Sequence, residues 1–123
     1  MRRFLSAAAI VIIASCARGP TAGKVVVGTR TMPARPVLNQ RFDVEVTVRD
    51  DRQQPVAGAN VELVGQMNHP GMAPVVGSAL EGAPGIYRGS LTLTMAGAWT
   101  LQATATLPDG RRGQRRTDIE IAP

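Results

Sequence analysis

The stretch Arg41–Arg49 alternates without a break. Phe42, Val44, Val46 and Val48 are apolar, and Arg41, Asp43, Glu45, Thr47 and Arg49 between them are polar. Successive side chains of a strand point to opposite faces, so this period of two builds one apolar face and one wet face. Three β-branched valines at alternate positions favour the same pleated form. The segment is therefore a strand with one side covered and one side solvated, and a chain with such a strand needs further layers to cover it.

The rest of the chain supplies them. Asn60–Met67 places Val61, Leu63, Gly65 and Met67 on one face. Tyr87, Gly89, Leu91, Leu93 and Met95 form a third face, and Trp99, Leu101, Ala103, Ala105 and Leu107 a fourth. Lys24–Met32 and Arg116–Ile121 read as first and last strands, and Pro74–Leu80 as a short one. Turn chemistry separates them at Gln54–Gly58, Gly82–Gly85, Ala96–Gly97 and Pro108–Gly110. No segment after the leader carries helical periodicity beyond two turns. About seven short strands at this spacing predict an all-β, immunoglobulin-like β-sandwich over residues 24–123.

Residues 1–15 read as a signal peptide. Arg2 and Arg3 precede the apolar run Phe4–Ile13, which is too short to cross a bilayer core needing ~20 helical residues. Small residues then lead to Cys16, the one cysteine of the chain. Ile13-Ala14-Ser15-Cys16 resembles a bacterial lipobox, with Ile in the usual Leu position. That resemblance implies an acylated Cys16 and a tether over residues 16–23. The plainer alternative is a signal peptide with an incidental cysteine. Ala17, where inner-membrane lipoproteins of Gram-negative bacteria carry Asp, implies the periplasmic face of the outer membrane if the source is Gram-negative. The expected location is thus extracytoplasmic, with the membrane engaged through the lipid.

Charge and composition narrow the function classes. Fourteen Lys and Arg stand against nine Asp and Glu, a net charge of +5, and loss of Arg2 and Arg3 with the leader lowers it to +3. That is no nucleic-acid footprint, and 3% aromatic residues are too few for a base-stacking platform. One Cys and one His build neither a thiolate zinc site nor a catalytic dyad, so no enzyme is expected.

The richest local signal is Gln66–Pro74, where Met67, His69 and Met72 fall within six residues around the turn formers Pro70 and Gly71. If consecutive strands run antiparallel, Met32, Met67, His69, Met72, Met95 and Trp99 all arrive at one pole. Thioethers are soft ligands that select Cu(I), and imidazole suits copper as well. Against this stands the ordinary use of Met as a core gap filler and of Trp as a sandwich anchor. At the other pole, Asp109–Arg116 reads as a turn with four arginines, either a solvated loop or a contact for anionic headgroups.

Several pieces together resemble the YtkA-like domain, a family related to the FixH proteins of bacterial respiratory and copper-handling loci. They are Phe42–Val48, Pro55–Val61, the Met67–Met72 loop, Gly85-Ile86-Tyr87 and Leu93–Trp99, spanning roughly Arg41 to Asp109. The resemblance implies an immunoglobulin-like fold and an extracytoplasmic, copper-related role. By position it makes Met67, His69, Met72 and Met95 ligand candidates for Cu(I), with Trp99 and Met32 adjacent. The loop is sparser in His and Met than in many members. A copper-handling or efflux protein is the implied partner, and no nucleic acid. The alternative is an accessory module that binds a membrane or efflux complex without metal.

Overall fold

The computed structural model describes residues 23–123, so the expected signal peptide, Cys16 and nearly all of the tether lie outside the described residues. Seven strands form in chain order: β1 (Val26–Met32), β2 (Arg41–Arg49), β3 (Asn60–Met67), β4 (Val75–Glu81), β5 (Ile86–Thr92), β6 (Gly97–Thr106) and β7 (Arg112–Ile121). Among the described residues there is no helix. Hydrogen bonding orders them β1-β2-β5-β4-β3-β6-β7, with every neighbouring pair antiparallel. This is the all-β, immunoglobulin-like sandwich that the alternation predicts.

The alternating residues make the core. Phe42, Val44, Val46 and Val48 of β2 face Val61 and Leu63 of β3, Tyr87 and Leu91 of β5, and Trp99, Leu101, Ala103 and Ala105 of β6 in one buried cluster. Each large aliphatic side chain so buried contributes about 1.5–3 kcal/mol. Among the described residues the seven strands pack around one buried cluster, so residues 23–123 have a core of their own, as a self-contained folding unit does.

Two layers are joined through β4. Its residues Val75–Ala79 pair with β3, while Leu80 and Glu81 pair with β5, so the strand passes from one layer to the other. The crossing demands room at Gly89, where a Cβ would stand 2.6 Å from the Ser78 carbonyl oxygen. At the far ends of the order, β1 and β7 run side by side and parallel. No backbone ladder joins them among the described residues, and Thr29 and Thr117 share a hydroxyl hydrogen bond of 2.9 Å across the seam.

Two expectations need correction. β5 stops at Thr92 instead of running to Met95, because its partner β2 begins at Arg41, the residue paired with Thr92. The last strand starts at Arg112 instead of Arg116, so only Arg111 of the four arginines sits in the turn. That part of β7 shows no apolar alternation because its inward positions are Gly113, where a Cβ would lie 2.5 Å from the Val25 carbonyl oxygen, and the exposed Arg115. β6 still offers it a full antiparallel partner over Thr104–Thr106.

The β2–β3 connection is stapled to the core. The Tyr87 hydroxyl donates to the Val56 carbonyl (2.8 Å) and accepts from the Ala59 amide (3.0 Å). The Glu81 carboxylate accepts from the amides of Gly58 and Gly85, both at 3.1 Å. The Pro55–Val61 motif is thus held by side chains from two other strands.

Candidate functional site

The register decides which ends share a pole. Met32 pairs with Asp43, Arg41 with Thr92, Gly65 with Val75, Met67 with Trp99, and Gly97 with Ile121. The end of β1, the start of β2, the β3–β4 loop, the β5–β6 turn and the end of β7 therefore meet at one pole, called here the upper pole. The chain enters at the lower one.

Within that pole the structure ties Met67, Met95 and Trp99 into one cluster. Met67 ends β3, half-buried and packed on the core beside its partner Trp99. Its Cε methyl lies where a side chain at position 97 would begin, since a Cβ there would stand 2.8 Å from it. Gly97 also holds φ at 126°, a conformation that L side chains rarely adopt, so glycine serves both turn and contact. Trp99 is buried, and its indole N–H donates to the Met95 carbonyl at 2.9 Å. Met95 itself is 42% exposed. It lies in the turn and not on an inward strand face as the alternation predicts, for the reason that β5 has already ended.

His69 and Met72 belong to the adjoining loop. The His69 amide donates to the Met67 carbonyl (2.8 Å) and the Met72 amide to the His69 carbonyl (3.4 Å). Gly71, with φ at 83°, lets the chain turn back between them. The His69 ring is exposed, with Nδ1 3.2 Å from the Pro70 carbonyl. A carbonyl only accepts, so this contact fits the neutral tautomer with its proton on Nδ1, in which Nε2 has a lone pair for a ligand. Met72 is half-buried.

Met32 reaches the same pole from the other layer but is not brought into this cluster by any bond. Its sulfur takes the Arg30 guanidinium at 3.8 Å, on the outward side where Arg30 also meets Glu45. Among the described residues no three His, Cys, Asp or Glu side chains gather around a common point. The donors that Met67, His69, Met72 and Met95 carry are thioethers and one imidazole, a set suited to Cu(I) and ill suited to hard cations.

A hollow of about 310 Å³ flanks the cluster, lined by Asn68, Ala98, Trp99, Asp118 and Glu120 among others. The two carboxylates escaped the sequence reading. Their signal was present, because they alternate with Ile119 and Ile121 on a last strand that must end at the methionine pole.

The family model described as YtkA-like matches residues 22–104. The chain belongs to the YtkA-like family. The match covers β1 through most of β6 and includes the whole Met/His loop. No curated protein matches this YtkA-like chain. Among solved structures, the Lin-41 filamin domain is similar at 19% identity with a TM-score of 0.57, over 85% of this chain and 97% of that one. MtrC from Shewanella baltica OS185 is 16% identical with a TM-score of 0.46, over 78% of this chain and 22% of that one. Murine CRIg is 13% identical with a TM-score of 0.44, over 78% of this chain and 96% of that one. At such identity the filamin domain speaks for the fold alone.

Proposed function

We infer that this YtkA-like domain is a membrane-anchored extracytoplasmic protein that binds Cu(I) weakly through its upper pole and hands it to a copper-handling or efflux partner. The carrying observation is that Met67 and the Met95–Trp99 turn, from separate segments, pack on one another beside the His69–Met72 loop. Met67, His69, Met72 and Met95 would hold the ion, with Trp99 as the wall behind them. Bound copper would supply the exchangeable cargo. The chain supplies soft donors, one of them on an exposed turn, and an imidazole whose Nε2 faces away from its internal hydrogen bond. An open set of this kind releases as readily as it takes up.

The test is competition against a Cu(I) chelator on the purified protein. Wild type is expected to draw copper from the chelator, and combined Met67→Ala, His69→Ala and Met72→Ala to lose that ability by tenfold or more, the span of about 1.4 kcal/mol. Equal, poor competition by both would end the copper reading. For the anchor, Cys16→Ser is expected to move the protein from the membrane to the soluble fraction.

One observation favours the second reading, an accessory module without metal. Val76 and Leu80 stand 61% and 77% exposed on the outward side of β4, the strand that joins the two layers. A partner seated there would need no copper, and the triple variant would bind it as wild type does.

A further inference from the structure

The lower pole carries a second feature, on the seam between β1 and β7. Below the Thr29–Thr117 bridge the seam opens into a cleft of about 350 Å³, lined by Val26, Thr29, Thr47, Arg49, Gln53 and Arg115 among others. Both arginines are exposed. No Asp or Glu lines the cleft, and among the described residues neither Arg49 nor Arg115 makes an ion pair. Three carboxylates of this pole, those of Asp50, Glu81 and Asp109, are turned to other partners. Asp50 accepts from the amides of Arg52 and Gln54, Glu81 from Gly58 and Gly85, and Asp109 from Arg111.

Arg115 stands here because of the odd start of β7. It has the inward parity of Gly113, Thr117 and Ile119, yet it stays exposed and lines the open gap together with Val26 and Thr29 of β1. Two guanidinium groups, with the Thr47 hydroxyl and the Gln53 amide lining the same cleft, supply the donors that phosphate oxygens accept from.

The place of the cleft selects the source of that phosphate. The chain enters the domain at this pole, where the Gly23 carbonyl accepts from the Arg111 guanidinium at 3.5 Å. Gly23 lies seven residues beyond Cys16, a reach of about 25 Å at full extension. We propose that the Arg49–Arg115 cleft takes the phosphate of an anionic phospholipid headgroup and seats the lower pole on the bilayer. The upper pole, a strand of ten residues away, about 30 Å, then faces the aqueous space where a partner can reach it. The proposal deepens the anchored reading above and takes from it only which pole faces the membrane.

The test uses residues 23–123, the self-contained unit, with phosphatidylcholine vesicles prepared with and without phosphatidylglycerol. Sedimentation is expected to carry the domain down with the anionic vesicles and to leave it in solution with the neutral ones, an effect that added salt removes. Each basic side chain at an anionic surface carries a factor of about five, so Arg49→Gln with Arg115→Gln is expected to cost about 25-fold. Arg35→Gln with Arg41→Gln, the same charge loss at the other end, is expected to leave binding close to wild type. Equal binding to both vesicles, or equal loss in both double variants, overturns the proposal. Inorganic phosphate at matched concentration that shifts the two guanidinium NMR signals as far as the vesicles do would make the cleft a free-phosphate site and overturn it as well. Because this unit lacks Cys16, its failure is separate from an unchanged Cys16→Ser fractionation.

Discussion

The loops that follow β2 and β3 sit at opposite poles, and they are held in different ways. The lower loop, Asp50–Ala59, is fastened by the buried Tyr87 hydroxyl and by the Glu81 carboxylate, both from strands distant in sequence. The upper loop, Asn68–Pro74, is held by its own backbone through His69 and Met72, and among the described residues no side chain of another strand hydrogen-bonds to it. A loop held from outside adds to stability. A loop held from within is anchored at its ends and can adapt its donors to a ligand, as exchange of cargo requires. The stability of the domain and its proposed chemistry are thus assigned to opposite ends.

The largest test of this contrast is Tyr87. Tyr87→Ala empties a core position and is expected to cost about 3–5 kcal/mol. Tyr87→Phe keeps the ring, leaves the Val56 carbonyl and Ala59 amide unmatched, and is expected to cost about 1–3 kcal/mol. Denaturant unfolding measures both, and Cu(I) competition of the Phe variant should match wild type. A Phe variant as stable as wild type would show that the lower loop is not stapled.

Acid should act on the same end. Amides of Gly85 and then Gly58 hold the Glu81 carboxyl below its ordinary value, and the Arg111 amide does the same for Asp109. Both groups take up a proton more readily in the unfolded chain. Their stabilisation is complete above the ordinary carboxylate range and is lost as pH falls through the depressed folded values. Thermal unfolding is expected to lose midpoint on the acid side, less steeply in Glu81→Gln, which has no proton to gain. Amide exchange at Gly58 and Gly85 should quicken there before exchange in Asn68–Pro74. The Tyr87 hydroxyl, raised by burial, stays protonated throughout. The smallest effect belongs to the upper loop. His69→Ala and Met72→Ala are each expected to change stability within about 0.5 kcal/mol. A loss above 1 kcal/mol in either would make that side chain a structural support and weaken its claim as an adaptable donor.

Reading the strands from the sequence succeeded where apolar residues alternate and failed where geometry alone makes a strand. β2, β3 and β6 declare themselves through Val44–Val48, Val61–Leu63 and Leu101–Ala105, since only a half-covered sheet accepts that period. The start of β7 is silent because Gly113 abuts the Val25 backbone, where no side chain fits, and Arg115 lines an open cleft that asks for no apolar one. The end of β5 was overread for the opposite reason. Leu93 and Met95 continue the alternation past the last residue of the strand that pairs with them. The donor pole was legible, because strand count and turn positions fix which ends meet. The seat of Met67 on Gly97, the hydrogen-bonded turn at Met95 and the arginine cleft were not, since each depends on contacts between segments far apart in the chain.

The sequence by itself determined the all-β architecture, the family and the gathering of methionines and His69 at one end. Those follow from local periodicity and from the parity of successive strands. Only the tertiary structure decided that Met67 seats on Gly97, which arginines line the cleft of the lower pole, and that Met32 turns outward to Arg30. Such choices rest on side chains meeting across the seam and the poles, where distance in space has no counterpart in distance along the chain.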